Sequence, residues 1–296
     1  MTTRRLAWIA WATVCVVWGT TYFAIKVALA TIPPFLLGGL RYVTAGLILA
    51  AIVRARGRRL PPRAAWGQLA ILGFCMLLMG NGGVAWGEQY LASGLTAVLI
   101  GTAPFWMVTI DAMMRDGKQL FARQWLGLII GFAGITYLVW PDIVAGGTDG
   151  RHFAMGVAAL QIGCAGWAVG SSYTRRSVVP GDVLGAAAIQ MVAGGFFMLM
   201  LGTALGEWPR LSFSVQTTSA LAYLVVAGSL VGFGAYSYAL QHLDVAIVSL
   251  YTYVNPVIAV ALGTLLLSEP FHLRMLAAAA VILIGIIIVG QPVRNR

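Results

Sequence analysis

The chain has 296 residues, of which 60% are hydrophobic and 9% charged, with a mean hydropathy of +0.87. So little polar surface cannot cover a soluble domain of this length, so an ordinary globular fold is excluded and lipid becomes the expected solvent. An excess of 19 Lys and Arg over 9 Asp and Glu would suit nucleic acid in a soluble protein, but these residues sit in short turns between apolar runs, with no aromatic RNA-binding motif beside them.

Ten apolar stretches of about 20 residues follow one another, each long enough to cross a ~30 Å hydrocarbon core as a helix. The first, 6 to 29, is read as an uncleaved span, because its apolar run is too long for a signal peptide and has no clear small-residue cleavage site. The second is 33 to 53, opened by Pro33-Pro34, and the third, 66 to 87, follows Pro61-Pro62. The fourth, 94 to 114, ends ahead of Asp116-Gly117, and the fifth is 122 to 140. A connection at about 141 to 152, with Gly146-Gly147, is the longest and joins two halves, 1–145 and 146–296. The sixth span, 153 to 174, precedes Pro180-Gly181; the seventh, 183 to 205, precedes Pro209; then come 219 to 241, 245 to 267 and 273 to 290. Pro and Gly thus fall between spans, where they punctuate.

The halves repeat. Trp18-Gly19-Thr20-Thr21-Tyr22 matches Trp167 with Gly170-Ser171-Ser172-Tyr173, and Arg41 ahead of Ala45-Gly46 matches Gln190 ahead of Gly194-Gly195. Trp86 through Leu91 matches Tyr238 through Leu243, Pro104 matches Pro256, and Gly134 matches Gly285. Five crossings carry the chain to the opposite side, so the second copy is expected upside down relative to the first. The expected fold is therefore all-α and integral to the membrane: ten transmembrane helices as two inverted five-helix repeats. With the N-terminus in the cytoplasm, fourteen of the nineteen basic residues fall inside, among them Arg54, Arg56, Arg58, Arg59, Arg63, Arg115, Lys118, Arg175, Arg176, Arg294 and Arg296. The positive-inside rule then puts both termini in the cytoplasm.

Leu267-Ser268-Glu269-Pro270 before the last span, taken with Trp18 through Tyr22, Arg41-Tyr42 with Ala45-Gly46-Leu47, Tyr90-Leu91, Pro104 and Pro256, resembles the EamA-type drug/metabolite transporters over about 6 to 290. The resemblance implies a ten-helix carrier of the bacterial inner membrane, often an exporter of amino acids, and is strongest to the aromatic amino-acid exporters of that family. It departs in one place: the first half has Gly117 where the second has Glu269.

Arg41, about eight residues into its span, lies near the midplane, where a guanidinium must find an anion or another buried partner. Two readings are open: a substrate carboxylate, or a structural partner such as a helix-end carbonyl or carboxylate, the second favoured because the resembled family keeps an Arg here across varied cargo. Trp18, Thr20, Tyr22, Asn81, Trp106, Gln161, Trp167, Gln190, Tyr251 and Asn255 lie at similar depth, and about half are expected to line a pathway suited to an apolar side chain with a polar end. Gly80, Gly82 and Gly83 around Asn81, with Pro104 and Pro256, are the candidate flexing points of alternating access. Other close-spaced glycines, Gly127 with Gly131, Gly166 with Gly170 and Gly228 with Gly232, read as packing positions, and Trp8, Trp66, Trp86, Trp125, Trp140 and Trp208 as an interfacial belt.

Cys15, Cys75 and Cys164 lie within spans and imply neither a disulfide nor a metal site. No cofactor is expected: neither Lys26 nor Lys118 sits in a phosphate-binding loop, so ATP-driven transport by this chain is not expected. Carboxylates are missing from span centres, with Glu88 at an outer end, which leaves facilitated diffusion, exchange or proton coupling through shallower groups. The expected partners are membrane lipid and a small-molecule substrate, and no oligomeric state follows from the letters. A secondary exporter of amino acids with aromatic or other apolar side chains is the leading reading. A carrier of nucleosides, sugars or drugs comes next, with a channel and an intramembrane enzyme as remoter rivals: no filter is visible, and His152, His242 and His272 all lie at span ends.

Overall fold

The computed structural model describes residues 3–114, 121–144, 147–176, 182–243, 248 and 250–290. Eight helices are long and apolar enough to cross a membrane, and two shorter apolar helices follow them. They are α1 (Thr3–Ala28), α2 (Pro34–Ala55), α3 (Arg63–Gly87), α4 (Ser93–Met113), α5 (Ala122–Val144), α6 (Gly147–Arg176), α7 (Val183–Ala204), α8 (Val215–Ala239), α9 (Tyr251–Leu266) and α10 (Leu273–Gly290). The predicted boundary at 145/146, the turns at Asp116-Gly117 and Pro180-Gly181, and Arg115, Lys118, Arg294 and Arg296 lie outside the described residues, as do the side chains of Arg175 and Arg176.

Local chemistry sets the helix ends. Pro33 is held extended, and Pro34 opens α2, where a missing N–H removes no helical bond. Asp182 caps α7 by accepting from Leu184 N and Gly185 N, and Ser214 with Thr217 forms a capping box at the start of α8. Gly57 and Gly206 follow α2 and α7 at matching positions with φ of 70° and 67°, the left-handed region glycine occupies freely.

The two halves share distortions as well as turns. Gly73–Asn81 in α3 and Leu224–Val231 in α8 are both π-helical. One correction concerns Pro104. Helix α4 is interrupted at Gly101-Thr102, so Pro104 starts its second segment, Ala103–Met113, instead of bending a continuous helix. Pro256 does lie inside α9.

Packing follows a two-fold pattern. Helix α2 lies along α7, α5 along α10 and α4 along α9, while α1 packs on α8 and α9 as α6 packs on α3 and α4. Exchanging the first five helices for the last five leaves this scheme unchanged. Glycine makes the close approaches possible: a side-chain carbon at Gly46 would lie 2.8 Å from Ala188 O, one at Gly195 2.7 Å from Val43 N, and one at Gly285 2.7 Å from Gly127 O. In lipid, small residues of this kind let backbones approach and so supply the packing energy. The predicted pairs behave alike, Gly127 and Gly131 facing Gly285, Gly166 and Gly170 facing Met79 and Met76, and Gly228 and Gly232 facing Arg41 and Trp18.

At one end of the bundle the helix connections are tied to each other. Thr31 Oγ1 donates to Ser212 O, Lys26 Nζ donates to the carbonyls of Glu88 and Leu91, and Tyr90 stacks on His152. Two carboxylates there cap helices of the other half: Glu207 accepts from Leu36 N at 2.9 Å, and Glu269 accepts from Ser93 N and Oγ at 2.8 Å each. At the opposite end Arg58 pairs with Asp182 at 2.7 Å. Large apolar side chains such as Val16, Ile129 and Leu265 point outward, as do Trp8, Trp66, Trp125, Trp140 and Trp208.

Candidate functional site

Trp18 is the hub of the site. Its ring meets Phe233, Tyr236 and Tyr251 at centroid separations of 5.7, 5.2 and 4.9 Å, and its Nε1 donates to Gly228 O at 3.1 Å. Aromatic groups from α1, α8 and α9 thus converge, with Phe233 and Tyr236 three apart and on one face of α8. Asn255 closes the base: with its amide oriented by its surroundings, its nitrogen faces the carbonyls of Tyr251 and Cys15 at 3.0 Å each.

Arg41 meets this cluster at Gly228. A side-chain carbon there would lie 3.0 Å from a terminal guanidinium nitrogen, so glycine leaves room for Arg41 on one side while its carbonyl holds Trp18 on the other. The arginine is 5% exposed, lies over the Tyr42 ring, and donates from Nε to Ser229 Oγ at 3.0 Å. Its structural partner is therefore a hydroxyl in the π-helical stretch and a ring face. Among the described residues no carboxylate pairs with it, and its terminal nitrogens keep their capacity to bind an anion.

Most of the remaining predicted residues lie on α3, α4, α6 and α7, where they make separate contacts. Gln161 Oε1 accepts from Trp106 Nε1 at 2.9 Å and from Thr102 Oγ1 at 3.2 Å, while its buried Nε2 has no partner among the described residues. Trp167 packs where Gly80 leaves space, and Gln190 Nε2 approaches Met76 Sδ at 3.6 Å in the π-helical stretch of α3. Asn81 Nδ2 donates to Met76 O and so is spent within its own helix. Tyr22 of α1 lies within electrostatic reach of Tyr251, Cys164 and Glu88. Thr20 departs from the set: it pairs with Tyr223 at an exposed position. Gly82 and Gly83 face Met198, Ala159 and Gly163, close contacts with α7 and α6.

The ring cluster on α1, α8 and α9 therefore has a guanidinium beside it, while Gln190, the sequence counterpart of Arg41, approaches the π-helical stretch of α3 with a neutral amide. The family model for EamA-like transporters matches residues 6–140 and again 154–291. The chain belongs to the EamA-like transporter family. This EamA-like transporter is 33% identical to YedA of Escherichia coli, described as an uncharacterized inner membrane transporter, over 93% of this chain and 87% of that one. A chloroplast WAT1-related protein of Arabidopsis thaliana is 29% identical over 94% of this chain and 68% of its own. A crystal structure with TM-score 0.62 and 19% identity covers 97% of this chain and 98% of the other, which shows a shared fold.

Several groups that shape the transporter's site were not singled out by sequence. Phe233 and Tyr236 had a legible signal in their spacing after Gly232. Ser229 had a stronger one, as the only polar side chain in Leu224–Val231, facing the arginine buried mid-span in the first half. Glu207 gave no such signal, because its capping partner is 171 residues away.

Proposed function

We propose that this EamA-like transporter is a secondary carrier that exports amino acids with aromatic or other apolar side chains across the bacterial inner membrane by alternating access. The observation that carries the reading is the meeting of Trp18 and Arg41 at Gly228: packed rings beside a guanidinium whose terminal nitrogens have no partner among the described residues match an aromatic side chain beside a carboxylate. The backbone scheme supports ten crossings in two inverted five-helix repeats, 1–145 and 146–296, since the packing is unchanged when the halves are exchanged. Connections after α1, α3, α5, α7 and α9 share one end of the bundle, which supports a common opposite side for both termini. The abundance of Arg in the other connections supports the cytoplasm as that side.

In the mechanism, the π-helical stretches of α3 and α8 lie beside Gln190 and Arg41, and Gly80, Gly82, Gly83, Pro104 and Pro256 lie where the halves slide past one another. The test is counterflow in proteoliposomes containing the purified chain, with labelled phenylalanine, tryptophan, nucleosides and sugars. Trans-stimulated uptake of an aromatic amino acid is expected. Exchange confined to nucleosides or sugars would replace the cargo class, and flux without trans-stimulation would replace the carrier with a channel.

A further inference from the structure

Glu88 is used by nothing described above, yet among the described residues it is the most completely enclosed charged one. Its exposure is 0%, and neither carboxyl oxygen has a hydrogen-bond partner among those residues. It sits immediately after α3, at the end of the bundle where the connections are tied, between exposed Gln89 and buried Gly87. Just beyond it in the chain Leu91 and Ser93 are also buried, 1% and 0% exposed; Leu91 O shares the Lys26 ammonium with Glu88 O, and Ser93 is held by Glu269 from the other half.

Charged and titratable groups surround it from each packed element. Lys26 and Tyr22 come from α1 and Glu269 from the α9–α10 connection; Cys164 of α6 acts on Tyr22, and His152, also of α6, stacks on nearby Tyr90. Arg41 of α2 lies seven residues beyond Pro34, about 10 Å deeper, and is engaged with Ser229. Lys26 does not pair with the Glu88 carboxyl group: its ammonium donates to the backbone carbonyls of Glu88 and Leu91 at 2.6 and 2.8 Å. At 0% exposure, and with neither ion pair nor donor among the described residues, an ionised carboxylate here would be uncompensated, so the closed arrangement holds the neutral acid.

We propose that Glu88 is a proton-binding site of the outer gate, taking one proton from external water as the two halves close over it and returning that proton when they part. The inference rests on the alternating-access reading. On closure an O–H bond forms between a solvent proton and the carboxylate; on opening it breaks, and the hydrated carboxylate lies beside the Lys26 cation. Burial raises the Glu88 pKa, opposed by Lys26 and reinforced by Glu269. The sign follows: closure is favoured below the pKa of the hydrated acid, and that preference is lost as external pH rises through the raised value of the closed state.

The test reads the gate and not the cargo. Leu91→Cys places a thiol at a position that is 1% exposed in the closed arrangement, and its labelling by a membrane-impermeant thiol reagent is followed in intact cells between external pH 6 and 8. The same thiol in a Glu88→Gln background corrects for the pH dependence of thiol chemistry. Labelling is expected to rise at least tenfold more with the native acid than in the amide background. Lys26→Gln keeps donors for the two carbonyls but removes the charge, and it should move the labelling midpoint to higher pH. Equal pH dependence with Glu88 and with its amide would overturn the proposal and leave the carrier reading standing, as would an unmoved midpoint in Lys26→Gln should the amide variant not fold. No labelling at any pH would overturn the gate and the carrier reading together.

Discussion

Replacing Gly46 by alanine tests the claim that glycine contacts between α2 and α7 hold the halves together. The added carbon would lie 2.8 Å from Ala188 O and 2.9 Å from Val192 N, about 0.6 Å inside ordinary contact. Both are backbone atoms of a helix, so no side chain can rotate away, and α7 itself has to move. Overpacking of this kind costs about 1–3 kcal/mol, against which alanine returns up to about 1 kcal/mol of helix propensity. Gly67→Ala is the matched control, since its new carbon would meet nothing within 4 Å and only the propensity gain remains. The assay is thermal unfolding of the purified chain in detergent. Gly46→Ala should melt several degrees below the parent and Gly67→Ala at or slightly above it. Equal melting of the two variants would refute the reasoning, because it would mean that the α2–α7 contact yields without cost.

Trp18→Ala removes the centre of the aromatic cluster and should lower counterflow of aromatic amino acids at least tenfold, with Trp18→Phe intermediate, since each aromatic pair contributes about 0.5–1.5 kcal/mol. Arg41→Gln should weaken binding of a carboxylate substrate about 10- to 100-fold, as expected for a lost charge-assisted bond of about 1.5–3 kcal/mol, while leaving the corresponding amide bound nearly as before. Glu207→Ala, 1% exposed and capping α2 from the other half, should lower the melting temperature through the loss of about 1–2 kcal/mol. Burial is the largest single influence on Asp182 and pushes its pKa up, but Arg58, Gly185 N and Leu184 N together outweigh it, so the pKa is lowered from 3.8. The stability it contributes is present above 3.8 and lost as pH falls through its depressed value, so Asp182→Asn should flatten the acid limb of an unfolding curve measured below about pH 4.

The helices were legible because lipid imposes one rule on every span: about twenty apolar residues with all backbone groups bonded internally. Turn positions were legible for an equally local reason, as at Pro33-Pro34 and Pro61-Pro62, whereas the left-handed glycines Gly57 and Gly206 were not singled out. What the letters did not carry was the partner of each polar group. Arg41 was recognisable as buried, but its partner Ser229 lies 188 residues on, and only packing of α2 against α8 brings them together. Pro104 was placed mid-helix, whereas it falls in the first turn of a new segment, because the helix breaks at Gly101-Thr102, a short Gly-Thr step inside a long apolar run. Thr20 was grouped with Trp18 and Tyr22 by depth alone, yet a residue two positions away on a helix points some 200° around the axis, and it emerges beside Tyr223.

A scaffold with two equivalent halves would by itself have two equivalent conformations, so direction and chemistry must come from the places where equivalence fails. Two such places stand out. Arg41 has Gln190 as its counterpart, so only the first half places a cation there to attract a carboxylate. Glu269 holds the start of α4 from the other half, while the equivalent position in the first half is Gly117, which has no carboxyl group to offer. The tied end of the bundle is thus fastened by carboxylates that reach across from the other half, whereas among the described residues the opposite end has Asp182, 14% exposed, capping its own helix and paired with a 60% exposed Arg58. A pair with one largely exposed partner is worth little, about 0–1 kcal/mol, and Asp182 caps only its own helix, whereas the acids at the tied end cap helix starts of the other half and so hold the two halves together. On that difference the tied end is the costlier one to open, and Glu88, enclosed beneath it, is positioned to sense whether it has opened.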